Sequence, residues 1–288
     1  MFTNSLTEAE VVATLCAVER LRKTSWAAGL LEATRRITDR LRVRFTDLAA
    51  YVANPVSPSD VSFLFEIRFA RALADAGLTA SYEHKAGVGN SSVDFRIDLD
   101  PPWLVELVSF RESAAVRTAT RNDGPWSRTL LSTHAEDPRQ SVEGEFRQAQ
   151  TRIGAKVMDR HGKPVKFPVP GQCIHMVMVD ARGYLDGHGD ESDFRQMLHG
   201  PEAVKSYPPQ CWTDDSTGTR SAIRGWFETQ CVLPSARFVQ ERLHVIGFTS
   251  EKKFDQHEIA STSWYLRNPH LVPSCSQLAI PWLHRPPP

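Results

Sequence analysis

The chain has 288 residues, 41% of them hydrophobic, and its 34 basic and 34 acidic side chains cancel. That is enough apolar content for a sizeable core, and the charge balance neither demands nor excludes a nucleic-acid partner, which would have to be met by a local basic surface. Five cysteines without a C-x-x-C pair indicate neither a zinc ribbon nor a disulfide framework. No run approaches the roughly 18 apolar residues of a membrane span and no basic-then-apolar leader opens the text, so a cytoplasmic protein without a membrane partner is expected.

From Thr7 to about Ala53 the text is helical. Val11, Leu15, Val18 and Leu21 recur at three- and four-residue steps behind a Thr7 cap with Glu10 three residues on, and a second helix runs through LLEATRRITDRLRVRF. Asn54-Pro-Val-Ser-Pro58 breaks the pattern and sets a first boundary. A third helix over about Asp60–Ala76 carries Val61, Leu64, Phe65, Phe69 and Leu73 on one face, with Glu66 beside that face and Gly77 as a stop. The period then turns to alternation, which predicts strands over Ala80–Ala86, Val93–Leu99 and Trp103–Phe110, joined as an antiparallel meander.

Residues Arg111–Ser132 show no sustained period and read as a long loop. Helical text returns over about Asp137–Asp159. The run Cys173–Asp180, CIHMVMVD, reads as a buried strand at the sheet centre. Beyond it, short helices are expected near Ser192–Leu198 and Thr219–Thr229, and strands near His244–Phe248 and Thr262–Leu266. The organisation expected is an N-terminal helical segment over 1–56, an α/β core over 57–185 and a C-terminal extension over 186–288 packed on that core.

Two acids stand inside predicted strands, Asp94 in SVDFRIDL and Glu106 in WLVELVSF. A carboxylate among apolar neighbours must be paired, protonated or bound to a metal. If the strands pair around Asp100-Pro-Pro, both acids face one way a few ångströms apart, and a divalent cation is the economical way to hold them together. Mg²⁺ suits one or two carboxylates and leaves positions for substrate phosphate. Glu66 could add a third carboxylate from the preceding helix.

The order of helix with Glu66, strand, strand with Asp94, strand with Glu106, helix, strand resembles the PD-(D/E)XK nuclease superfamily, whose fold is the restriction-endonuclease-like one. Ser92-Val-Asp94 stands at the first part of its motif and Glu106-Leu-Val108 at the second, over about Pro58–Ala181. The resemblance implies an α/β fold with a central mixed β-sheet flanked by helices. It implies a nuclease, a magnesium- or manganese-dependent hydrolase of phosphodiesters with DNA as partner, in which Asp94 and Glu106 hold the metal and Glu66 orients water or a second ion.

Val108 stands where the family has its lysine. Some members take that cation from the following helix, and here Gln148, Arg152 and Lys156 form a polar row spaced by four beside the stripe Phe146, Ala149, Ile153, Val157. Lys156 is the expected replacement, with Gln148 or Gln150 lending a hydrogen bond and Arg96 or Lys85 as other cations. The missing strand lysine also supports the alternative of a catalytically inactive module binding nucleic acid or protein. Asp180 is read as a strand cap, His175 as a core histidine, and the Arg20–Lys23 and Arg35–Arg44 clusters as solvated helix faces.

Overall fold

A computed structural model describes residues 6–53, 56, 60–123, 126–129, 131, 142–184, 189–200, 224–249, 259, 263–272 and 278–283. The chain opens with α1 (Glu8–Leu21), whose start is the expected capping box: Thr7 Oγ1 accepts from Glu10 N at 3.2 Å and Glu10 Oε2 accepts from Thr7 N at 2.7 Å. The second predicted helix is two, α2 (Ala28–Ala33) and α3 (Arg35–Thr46), parted at Thr34, whose hydroxyl turns back to Leu30 O. After α4 (Leu48–Ala53) comes α5 (Val61–Asp75). It ends at Gly77, where a φ of 72° lets Leu78 N return to Leu73 O.

The meander follows as β1 (Ala80–Lys85), β2 (Ser92–Ile97) and β3 (Trp103–Ser109). Residues 111–131, expected as a bare loop, instead hold α6 (Ala114–Ala119) and a hairpin of β4 (Thr120–Asp123) and β5 (Trp126–Thr129). Ser113 caps that helix by accepting from Val116 N, a local signal too short to register as a period. Next are α7 (Val142–Gly154), β6 (Ile174–Asp180), α8 (Glu191–His199), α9 (Ala236–Arg242), β7 (Val245–Thr249) and β8 (Ser263–Arg267). The helix expected near Thr219–Thr229 lies partly outside the described residues, and its described part, 224–229, is not helical.

The main sheet is mixed and six-stranded, in the order β1-β2-β3-β6-β7-β8. The meander is antiparallel, β3, β6 and β7 run parallel, and β8 returns antiparallel. Parallel partners need crossovers, and α7 stands on the chain between β3 and β6, α8 and α9 between β6 and β7. Alternation divides the central strands between two cores. Val105, Leu107, Met176, Met178 and Val245 meet α1, α3 and α5, while Leu104, Val108, Val177, Val179 and Ile246 meet α7, α8 and α9.

At the end of β6, Arg182 forks onto Asp180 (Nε–Oδ1 3.0 Å, Nη2–Oδ2 3.1 Å) and reaches Glu10 Oε1 of α1 at 3.3 Å. Asp180 also accepts from Arg182 N, the turn-capping role read for it. Among the described residues, no helix is long and apolar enough to cross a membrane.

Candidate active site

The pairing of β1, β2 and β3 breaks along one row of the sheet. From Ile97↔Trp103 the β2–β3 register runs to Phe95↔Val105 and stops, although both strands continue. Between β1 and β2 it skips the pair between Tyr82↔Phe95 and His84↔Val93. There Glu83 adopts a left-handed φ of 51°, strained for a residue with a Cβ. Beside this kink the alternation of β2 fails: Phe95 packs in the α5 core and Val93 in the α7 core. Asp94 sits between them, and its Oδ2 accepts from Leu107 N at 2.6 Å, a side chain bridging strands whose ladder has stopped.

Glu106 belongs to the same row, between Leu104 and Val108 on the α7 side, and is buried. Two ammoniums reach its Oε1, Lys156 Nζ from beyond the end of α7 and Lys166 Nζ from the loop before β6, each at 2.7 Å. Its Oε2 is buried without a hydrogen-bond partner. Glu66 approaches from α5, and its Oε2 accepts from Tyr82 Oη at 2.7 Å.

These groups feel one another. Burial, with Glu106 and Glu66 adding repulsion, pushes the Asp94 carboxyl up to about 8. Burial likewise pushes Glu66 up to about 7, against the Tyr82 hydrogen bond. Burial and Glu66 push the Tyr82 phenol up as well. For Lys156 burial alone would lower the ammonium, but Glu106, Asp94 and Glu66 together outweigh it and the pKa ends above the ordinary lysine value. Two acids are thus costly to ionise while their neighbours are carboxylates.

The fold brings Glu66, Asp94, Glu106 and Lys156 together from α5, β2, β3 and the turn after α7. Other candidates stand elsewhere. Gln150 is buried and donates to Met197 O and Arg224 O, tying α7 to the chain beyond it. Gln148 and Arg152 line a shallow open recess with Arg111, Glu145 and Tyr184. Arg96 is ion-paired with Asp98, and Lys85 is exposed. His175 is buried against Phe167, with Nδ1 bonded to Arg242 O and its pKa pushed down by burial to about 4. In the arginine clusters Arg20, Arg22, Arg35 and Arg42 are spent on acids of their own surroundings.

Lys166, Tyr82 and Glu83 went unnoticed in the sequence. Lys166 lies in GKPVKFPVPG, which has no periodicity to orient a side chain. Tyr82 has a legible signal in the alternation of ASYEHK, which puts its ring on the Ala80 side with the α5 core.

Oxygen donors of this kind suit a hard divalent cation, which would remove the repulsion among Asp94, Glu66 and Glu106 and engage the unpartnered Glu106 Oε2. Among the described residues no group of three or more His, Cys, Asp or Glu could hold a metal, so an ion here would rest on Asp94 and Glu106, with water completing its shell. No family model, curated protein or solved structure matches the chain.

Proposed function

We propose that the chain is a divalent-metal-dependent nuclease, hydrolysing phosphodiester bonds in DNA on a restriction-endonuclease-like core. The observation that carries this reading is the meeting of Glu66, Asp94, Glu106 and Lys156, each from a separate element, on the row where the sheet opens. A structural descendant with no reaction to perform has no reason to gather three carboxylates against burial and mutual repulsion. The strand order supports the core assignment: an antiparallel meander, then a helix and a parallel strand, with a helix ahead of all four.

Asp94 and Glu106 would hold Mg²⁺ or Mn²⁺, which when bound supplies a Lewis acid for the phosphate and an activated water. Asp94 is oriented by Leu107 N, and Glu106 by the cations on Oε1, which leaves Oε2 for the ion. Glu66, fixed by the Tyr82 hydroxyl, would orient that water. Lys156 stabilises the charge that builds on the phosphate.

The test is cleavage of plasmid, single-stranded DNA and RNA in Mg²⁺ and Mn²⁺, with calorimetric Mn²⁺ binding alongside. Wild type should bind Mn²⁺ and cut DNA, and Asp94→Asn should do neither. A wild type that binds DNA but cuts nothing in either metal would hand the protein to the second reading, an inactive nuclease-fold module. That reading is favoured by Val108, sealed in the core of Leu104, Phe146 and Ala149 where the resemblance places a cation.

A further inference from the structure

The two ammoniums on Glu106 Oε1 are held in different ways. Lys166 is fixed at three points: its backbone N–H donates to Ser91 Oγ at 2.8 Å, and its Nζ donates to Ser92 O at 3.0 Å and meets Glu106 Oε1 at 2.7 Å. Its backbone is left-handed, with φ of 60°, a conformation that persists in a residue with a Cβ when its surroundings over-determine it. The neighbours supply that constraint. Val165 N donates to Val157 O, and Phe167 is buried with its carbonyl receiving Arg242 Nη1 at 2.6 Å.

Lys156 is held at fewer points: its backbone N–H donates to Ile153 O in the turn after α7, but its ammonium is not tied to a backbone carbonyl as that of Lys166 is. Among the described residues, Glu106 Oε1 is the one hydrogen-bond acceptor of its Nζ, at 2.7 Å. Lys156 also lowers the Asp94 and Glu66 carboxyls, as a cation close to both does, while Lys166 is tied to the backbone of β2 at Ser92 O. A single carboxylate needs one cation for neutrality, and here two load the same oxygen while the other has no partner.

We infer that Lys166 is a positioning residue, which keeps Glu106 anchored to β2 so that Lys156 is free to leave it for the substrate's phosphate. This rests on the nuclease reading and assigns the two lysines unequal parts in it. Without Lys166, Lys156 remains as the sole partner of Oε1, the ion being on Oε2. Leaving it would bare one buried carboxylate oxygen and forfeit a charge-assisted hydrogen bond. Removing Lys166 therefore disables Lys156 as well.

The experiment is a double-mutant cycle on the full chain, with folding checked by thermal melts. Lys156→Met should lower kcat about a hundredfold, the scale of one lost transition-state contact. Lys166→Met should fall within roughly threefold of that, and the double variant should be no worse than either, because the residues act as a unit. Lys166→Arg, which keeps a cation on Oε1, should recover most of the rate. Mn²⁺ calorimetry gives a readout apart from turnover: both Met variants should bind the ion as tightly as wild type or more so, since each deletes a positive charge beside it. Should Lys166→Met fail to fold, Ser91→Ala takes its place, freeing the Lys166 backbone while keeping its charge. It should then slow wild type and leave the Lys156→Met protein unchanged.

Multiplied losses in the double variant, a Lys166→Met rate near wild type, or Mn²⁺ binding lost in Lys166→Met would each overturn the inference while leaving an active nuclease. A wild type that neither binds Mn²⁺ nor cuts would end the nuclease reading, and this inference with it.

Discussion

Replacing Asp94 by Asn removes the ionisation that the site resists and keeps the shape, since the amide oxygen can still accept from Leu107 N. The folded Asp94 carboxyl is raised from 3.8 to about 8, chiefly by burial. Between those values the folded chain keeps a proton that the unfolded chain has released, so stability falls as pH rises through the window and levels off above it. Each pH unit carries roughly 1.4 kcal/mol per such group. At pH 7, about three units into the window, the ceiling is about 4 kcal/mol, and allowance for relaxation and water entry brings the expectation to about 2 kcal/mol.

Urea unfolding at pH 5, 6, 7 and 8 should show wild type losing stability steadily and Asp94→Asn losing less, with the variant the more stable protein at pH 8. Glu66, raised to about 7 by burial, keeps some slope in both. Added Mg²⁺ should restore wild type at pH 8 and leave the variant unmoved. Parallel pH profiles for the two proteins would refute the claim that this carboxylate is held against its charge.

Three further outcomes follow from the same geometry. Glu106→Gln leaves the two ammoniums around a neutral amide and should cost about 3–5 kcal/mol in urea unfolding; a loss below about 1 kcal/mol would mean the cluster contributes little to folding. Val108→Lys drives an ammonium into the core of Leu104, Phe146 and Ala149. It should lower the melting temperature by roughly 5–10 °C, and an unchanged melt with faster cleavage would show instead that the strand accepts a cation there. Glu83→Gly relieves the left-handed backbone at φ 51° and should stabilise by about 1 kcal/mol, unless a differential melt shows the Glu83 side chain supplying more than the strain removes.

Legibility in the sequence tracked periodicity. The meander, the central CIHMVMV strand and α5 announce themselves because each presents a face at a fixed interval, and the edges of β1–β3 and β6 fall within two residues of expectation. Asp94, Glu106 and Glu66 were legible for the same reason, as polar residues on elements whose faces could be counted, whereas Lys156, expected on a helix running to Asp159, lies in the turn after α7 ends at Gly154. Residues 111–131 hid a helix and a hairpin because four- to six-residue elements complete too few repeats to count. Lys166 and Glu83 depend on backbones with positive φ. Lysine and glutamate give no local hint of that conformation, which tertiary contacts impose.

The reach of Arg182 to Glu10 bears on where the chain can be cut for expression. The break at Asn54–Pro58 tempts one to start a minimal fragment at residue 57. Leu21, Leu30, Ile37 and Leu41 nevertheless pack in the same core as Phe65, Phe69 and Phe95, and Glu10 meets the guanidinium that also forks onto Asp180 at the tip of the central strand. Such a fragment would present the outer side of α5 to water as an oily patch and loosen the end of β6 at once. It would partition into aggregates and not yield a smaller folded protein. The helical preamble is better regarded as the cover of the sheet face on which α5 lies, to be trimmed no further than the buried Leu6.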